Sequence, residues 1–257
     1  MPVNDTEGYI TQIRGRSPDW FDLADDVARY ASDLISQLSV EQENDRDLVA
    51  AILYRRLVSA LEAIIILAER GMHTEGQCVQ RSMLEGLFVL GAVWKEPKTI
   101  EAFFSNDSGR VKKVLKNIKE ISGPIREAVA NSLTFEEIER RIATIGNPSV
   151  KSAKDFAKDA GLLDLYLTDY SFSSEALHHV AKDLERHIDK SGSGNVDGLF
   201  WGPEAEQPFE LLSPAINYVL LAIEAVRGVF NLDSSQLEEG LRVRMDRLFE
   251  MLIDGGG

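Results

Sequence analysis

Apolar residues recur every three or four positions over long stretches of this chain, the spacing that turns one face of an α-helix toward a core. Trp20, Leu23, Val27, Tyr30, Leu34 and Leu38 mark the first such run. Ser17-Pro18-Asp19 opens it, with serine as N-cap, proline at the first helical position and an acid in the first turn. Residues 1–16 carry no comparable pattern and read as a loose lead-in. Leu48, Ile52, Leu57, Leu61, Ile64 and Leu67 define a second helix over about Glu41–Arg70, closed by Gly71, a residue suited to a left-handed cap. Thr74-Glu-Gly-Gln77 has the form of a capping box and opens a third helix, which ends near Trp94. The very short turn between the second and third helices predicts an antiparallel hairpin.

Residues 97–160 divide into shorter candidate helices at 98–105, 108–121, 124–132 and 135–144, the last opened by Thr134-Phe-Glu-Glu137. Gly146-Asn-Pro148 is a break, and Ser152–Ala160 reads as one more short helix. Helix resumes near Leu162, bends around Asp169–Ser174 and continues through His178 to Asp189. Lys190-Ser-Gly-Ser-Gly-Asn195 reads as a flexible connector and Phe200-Trp201-Gly-Pro203 as an irregular corner. Two helices follow, over 208–230 and 234–253, and the terminal glycines read as a disordered tail. No stretch alternates long enough to predict a strand. The expectation is an all-α, up-down helical bundle in one domain, residues 1–257. Its core is 17–95 and 162–253, and 97–160 is a short-helix insertion or cap.

Composition changes this picture little. A chain of 257 residues can bury a substantial core. The single cysteine, Cys78, excludes an internal disulfide and a cysteine-based zinc site within one chain, which fits a reducing, cytoplasmic location. The first residues lack the basic start and apolar run of a signal peptide. The most apolar run, Ala63–Ala68, is too short to span a bilayer, so no membrane partner is expected. A net charge of −14 argues against indiscriminate capture of nucleic acid. The charges are segregated, however. Asp19–Asp47 holds nine acids against Arg29 and Arg46, whereas Arg110, Lys112, Lys113, Lys116 and Lys119 stand together without an acid. That basic run, with Val111, Val114, Leu115 and Ile118 interleaved, reads as an amphipathic helix. Its outer face is either simply solvated, or a contact for an RNA backbone or for an acidic face of a second subunit.

Two polar rows interrupt otherwise apolar helical surroundings. Arg81 and Glu85 stand at i and i+4, among Met83, Leu84, Leu87 and Phe88. Tyr170, Ser174 and His178 stand at i, i+4 and i+8, beside Phe172 and Leu177. Polar groups on an inward face must find partners or form a site. His178 has the side chain best suited to proton transfer near neutral pH. No Gly-x-Ser-x-Gly elbow surrounds Ser174, which argues against a serine hydrolase. Glu175-Ala-Leu-His178 has the Glu-x-x-His spacing of di-iron bundles, but no second copy exists. No Walker loop, dinucleotide glycine fingerprint or His-Glu-x-x-His motif is present, so neither cofactor nor metal is expected.

A long helix, then Arg81-Ser-x-Leu-Glu85, then Tyr170-x-x-x-Ser174-x-x-x-His178, resembles the bacterial family catalogued as domain of unknown function 5677, over about residues 45–190. The resemblance implies a helical core similar to HEPN proteins. Many of those are metal-independent ribonucleases of toxin–antitoxin and phage-defence systems, with an arginine, four to six intervening residues and then a histidine near a dimer interface. This chain departs from that pattern: Arg186 directly precedes His187, and no arginine stands at that spacing before His178. The expectation is therefore a homodimeric, RNA-cleaving protein whose site is assembled from two helices. His178 would be its acid or base, Arg81 would hold phosphate, and Glu85, Tyr170 and Ser174 would lie around them. The alternative is a non-catalytic binding or assembly protein in which the same five residues form a buried network.

Overall fold

In a computed structural model of the chain, the residues described are 6–124, 127–128, 133–177, 188–190, 196–199 and 208–254. The helices are α1 (Thr6–Arg16), α2 (Pro18–Ile35), α3 (Asp45–Glu69), α4 (His73–Lys95), α5 (Thr99–Glu120), α6 (Phe135–Ile145), α7 (Ala153–Ala160), α8 (Leu163–Leu167) and α9 (Asp169–Leu177). A short ribbon, β1 (Ile188–Lys190) with β2 (Val196–Leu199), precedes α10 (Phe209–Phe230) and α11 (Gln236–Asp254). The architecture is an all-α helical bundle.

Contacts between helix ends fix the directions. Arg46, in the first turn of α3, donates to the carbonyls of Val93 and Trp94 at the end of α4, so these two helices are antiparallel over their length. Gln80 of α4 donates to Leu211 O of α10, and Trp94 lies against Gly228 near the far end of α10, so α4 and α10 run the same way. Trp20 packs on Phe209 while Tyr30 receives a hydrogen bond from Arg227, which aligns α2 with α10. Trp20 also meets Phe249 near the end of α11, which therefore returns. The order is up, down, up for α2–α4, then up and down for α10 and α11. The intervening segment carries the chain back to the same end.

Apolar burial explains the centre. Leu57, Leu61 and Ile64 of α3, Leu84, Leu87 and Phe88 of α4, and Leu212, Ile216, Val219 and Ile223 of α10 are sealed from solvent. Burial of each large side chain contributes about 1.5–3 kcal/mol. By length and composition α10 is apolar enough to cross a membrane, yet 67% of that window is buried among its neighbours. Two positions expected inward on α3, Leu48 and Ile52, are exposed; the buried stripe runs one position on, through Val49, Leu53 and Leu57.

Local signals decide the helix ends. Ser17 and Pro18 begin α2 as expected, although the serine side chain makes no capping bond. Asn44 rather than Glu41 starts α3, accepting from the backbone N–H of Arg46 and Asp47. Gly71 takes the left-handed conformation (φ 62°) that ends the hairpin turn. The capping box expected at Thr74 does not form: α4 begins at His73, and the Thr74 hydroxyl is buried without a hydrogen bond among the described residues. Thr134 and Ser152 do cap α6 and α7.

Three expectations are corrected. Residues 6–16 of the lead-in are helical: α1 is held by buried Ile13 and by Arg14, whose guanidinium reaches Glu69 at 2.7 Å and Asp25 at 2.9 Å. Those anchors are ionic, so apolar periodicity gives no sign of them. Next, α5 runs unbroken through Asn106-Asp107-Ser108, because the Asn106 side chain bonds outward to both backbone groups of Lys151 instead of to its own helix. Finally, Ile188–Lys190 is strand, paired antiparallel with Val196–Leu199; strands this short hold too few residues to show alternation. Residues 191–195, 200–203 and the terminal glycines, read as connector, corner and tail, lie outside the described residues.

Within the segment 97–160, α5 and α6 pack chiefly on each other. Helix α7 enters the core through Phe156, Ala157 and Ala160. A β-carbon at Gly91 would sit 2.9 Å from that of Ala160, so glycine there lets α4 and α7 close. The chain then turns at Thr168, between α8 and α9. Asp169 starts α9 and accepts from the buried phenol of Tyr218 on α10 at 2.7 Å. That bond ties the start of α9 to α10, while the helix itself packs on α4.

Candidate functional site

The two polar rows meet. Arg81 Nε donates to Ser174 Oγ at 2.7 Å, and its Nη1 donates to Glu85 Oε1 at 3.0 Å. The guanidinium carbon lies 3.8 Å from the centre of the Tyr170 ring, within range of a cation–π contact. Tyr170 OH donates to the same Glu85 Oε1 at 3.0 Å, and Ser174 Oγ donates back to Tyr170 O at 2.6 Å. Four of the five expected residues therefore form one cluster across α4 and α9. The fifth, His178, lies outside the described residues.

Packing locks this geometry from behind. Tyr170 stacks on Tyr166 with ring centres 4.9 Å apart, and both lean on buried Phe88. Burial, with Glu85 adding to it, pushes the Tyr170 phenol up to about 12, so it stays protonated and acts as a donor. Phe172, expected inward beside this row, is exposed, and Ser173 takes the buried position instead. The kink at Thr168 sets the phase of α9 that an unbroken helix would not have.

The cluster is sealed on one side only. The Arg81 side chain is 16% exposed and that of Glu85 47%. Glu85 and Tyr170 form part of the wall of a cleft of about 430 Å³. Phe103, Phe104, Asp107 and Arg110 of α5 stand on another wall, with Lys151 and Phe156 completing it. Asp107 and Arg110 have no ion-pair partner among the described residues, whereas Lys151 Nζ is paired with Asp159. The cleft is thus aromatic, with a cation unpaired among the described residues and two carboxylates on its walls. Among the described residues, no three His, Cys, Asp or Glu side chains gather as a metal ion requires.

The basic run divides by contact. Arg110 faces the cleft; Lys112 is bound to Gly146 O and Asn147 Oδ1, and Lys119 to Glu139 at 2.7 Å. Lys113 and Lys116 are exposed, as are Val111 and Val114 on the side expected to pack, while Leu115 is buried. Sequence reasoning nominated Arg110 but passed over Phe103 and Asp107. The signal was the spacing Phe103, Asp107, Arg110 at i, i+4 and i+7, hidden by placing a helix break between them.

The fold and cluster together define a helical-bundle protein with a ligand-sized cleft set against a fixed charged wall. The chain belongs to the family of unknown function (DUF5677), whose model matches residues 47–196. That span contains every cleft residue named above. No curated protein and no solved structure matches the chain.

Proposed function

We propose that the cleft binds a phosphate-bearing ligand of nucleotide type, RNA being its polymeric form, and that the chain is a HEPN-like, metal-independent endoribonuclease. The observation that carries this reading is that the Arg81–Glu85–Tyr170 cluster opens onto an aromatic cleft beside an unpaired arginine. A purely structural network gains nothing from such an opening. The roles shift from those expected. Arg81 is held by Ser174, Glu85 and the Tyr170 ring and is not among the residues lining the cleft, so it is a positioning residue, and Arg110 is the cation available to phosphate.

The reaction matching these groups is attack of an RNA 2′-OH on the adjacent phosphorus. The 2′-oxygen forms a bond to phosphorus, the bond from phosphorus to O5′ breaks, and a 2′,3′-cyclic phosphate remains. His178, four residues beyond Ser174, would take the 2′-OH proton or return one to O5′. A cytoplasmic homodimer acting as one all-helical domain belongs to the same proposal, with defence or toxin biology as its setting. The hold of Ser174, Glu85 and Tyr170 on Arg81 favours the second reading, a non-catalytic binding or assembly protein with a structural polar network.

Cleavage of tRNA and total RNA by wild type, His178→Ala and Arg110→Ala, with melting curves for each, separates the two. The proposal expects wild type to cleave, His178→Ala to melt normally without cleaving, and Arg110→Ala to bind RNA about tenfold more weakly, the equivalent of about 1.4 kcal/mol. Wild type that neither binds nor cleaves RNA overturns it.

A further inference from the structure

The hydrogen bonds around Glu85 determine what its wall can offer a ligand. Oε1 accepts from both Arg81 Nη1 and Tyr170 OH, each at 3.0 Å, which uses both of its lone pairs. Oε2 has no partner among the described residues, in a side chain 47% exposed that lines the cleft. Of the donors beside it, the phenol proton is on Oε1, and Arg81, which is not among the residues lining the cleft, gives Nη1–H to Glu85 and Nε–H to Ser174. Asn106, on the α5 wall, binds the backbone of Lys151 through its oxygen and one of its two N–H groups. Glu85 and Tyr170 therefore present acceptor lone pairs to the cleft and no free O–H.

We infer that Glu85 is a specificity-determining residue that selects ligands carrying an amino group on the ring that enters the cleft, and rejects those with a carbonyl at that position. This rests on the proposal that the cleft takes nucleotides. In nucleotide terms, it favours cytosine over uracil and adenine over hypoxanthine, pairs that differ by an amine against a carbonyl at one ring carbon. A carboxylate accepts from the cytosine N4 amine, whereas it repels the uracil O4 carbonyl, which leaves two acceptors facing each other. Phe103 and Phe104 supply an aromatic face for the ring, and Arg110 supplies the charge for its phosphate.

Calorimetric titration of the full chain with cytidine 5′-monophosphate and uridine 5′-monophosphate tests this. Wild type is expected to bind the cytidine nucleotide about tenfold more tightly. Glu85→Gln, which places an amide at the same site, is expected to reduce the ratio to about one or invert it. Glu85→Ala, which removes the acceptor without supplying a donor, is expected to lose the preference too and stands in if Glu85→Gln fails to fold, whereas Tyr170→Phe, which leaves Oε2 in place, should not reverse it. Equal binding of the two nucleotides by wild type overturns the inference but leaves nucleotide binding standing. A cytidine preference that survives Glu85→Gln, or one that Tyr170→Phe reverses, also overturns it. Absence of binding by either nucleotide overturns the nucleotide reading and this inference with it.

Discussion

Two arginine–glutamate pairs lie in this bundle, each with a tyrosine beside it, and they differ in what lies beyond the glutamate. Arg227 of α10 and Glu238 of α11 approach to 2.8 Å with side chains only 9% and 8% exposed. Arg227 donates to Tyr30 OH, which shares a 2.7 Å hydrogen bond with Ser235. Arg242 closes the other side by reaching Leu220 O at 2.8 Å and Glu238 at 3.5 Å. Arg227 Nη1 finds no hydrogen bond among the described residues, an uncompensated cost inside the fold. The Arg81–Glu85–Tyr170 group has the same chemistry, but its carboxylate is half open to a cleft. Sealing makes the first a clasp between α2, α10 and α11; opening leaves the second able to meet a ligand. The clasp lies outside the matched span 47–196, and the open cluster lies within it.

The comparison breaks most readily at the sealed pair. Arg227→Ala leaves Glu238 buried without its main partner and is expected to cost about 3–5 kcal/mol, read from urea unfolding. The double replacement Arg227→Met, Glu238→Leu removes both charges and is expected to recover most of that loss. A single variant as stable as wild type ends the idea of a clasp. Arg81→Ala is expected to cost less, roughly 1–2 kcal/mol, because Glu85 can rehydrate while the Ser174 bond and the ring contact are lost. Its effect on nucleotide affinity is expected to be larger than its effect on melting. The reverse ranking favours a purely structural cluster.

Alkaline titration compares the same two environments through their phenols. The Tyr170 phenol is raised to about 12, whereas deeper burial pushes Tyr54 and Tyr218 higher still. A raised phenol pKa means the folded state holds its proton more tightly than the unfolded state. That contribution is complete below the unfolded value near 10 and is lost as pH rises through the folded value. Stability is therefore expected to fall between about pH 10 and 12, and less steeply in Tyr170→Phe. In an ultraviolet titration, Tyr170 should ionise before unfolding, and Tyr54 and Tyr218 only with it. Ionisation of Tyr54, the buried phenol near Tyr30, Arg227 and Glu238, ahead of Tyr170 contradicts the assignment of sealed and open sites.

How much of this was legible in the sequence follows from which force places each residue. Apolar spacing located α2, α3, α4, α10 and α11, and the i, i+4 rows brought Arg81 to Ser174 and Glu85 to Tyr170 across nearly ninety residues of chain. What apolar spacing cannot see is an ionic anchor such as Arg14, or a side chain such as Asn106 turning outward to hold a distant loop. The cleft depends on both kinds of event. Phe103, Asp107 and Arg110 share a face only because α5 is unbroken, and Lys151 reaches that face through Asn106. The clasp went unseen for a related reason: Arg227 and Glu238 belong to different helices, and no local spacing joins them.

Phe172 supplies the smallest expected effect and the sharpest control. It lies two residues from Tyr170 on α9, roughly on the opposite face of the helix by 3.6-residue periodicity, and is 65% exposed. Phe172→Ser removes an aromatic ring from the same helix without touching Glu85, Arg81 or the stack on Tyr166. An exposed substitution of this kind is expected to change stability by less than about 0.5 kcal/mol. Nucleotide affinity and the cytidine-to-uridine ratio should match wild type. If affinity drops as far as in Arg81→Ala, the outer face of α9 takes part in binding. The distinction between the sealed and open sides of the cluster would then have been drawn in the wrong place.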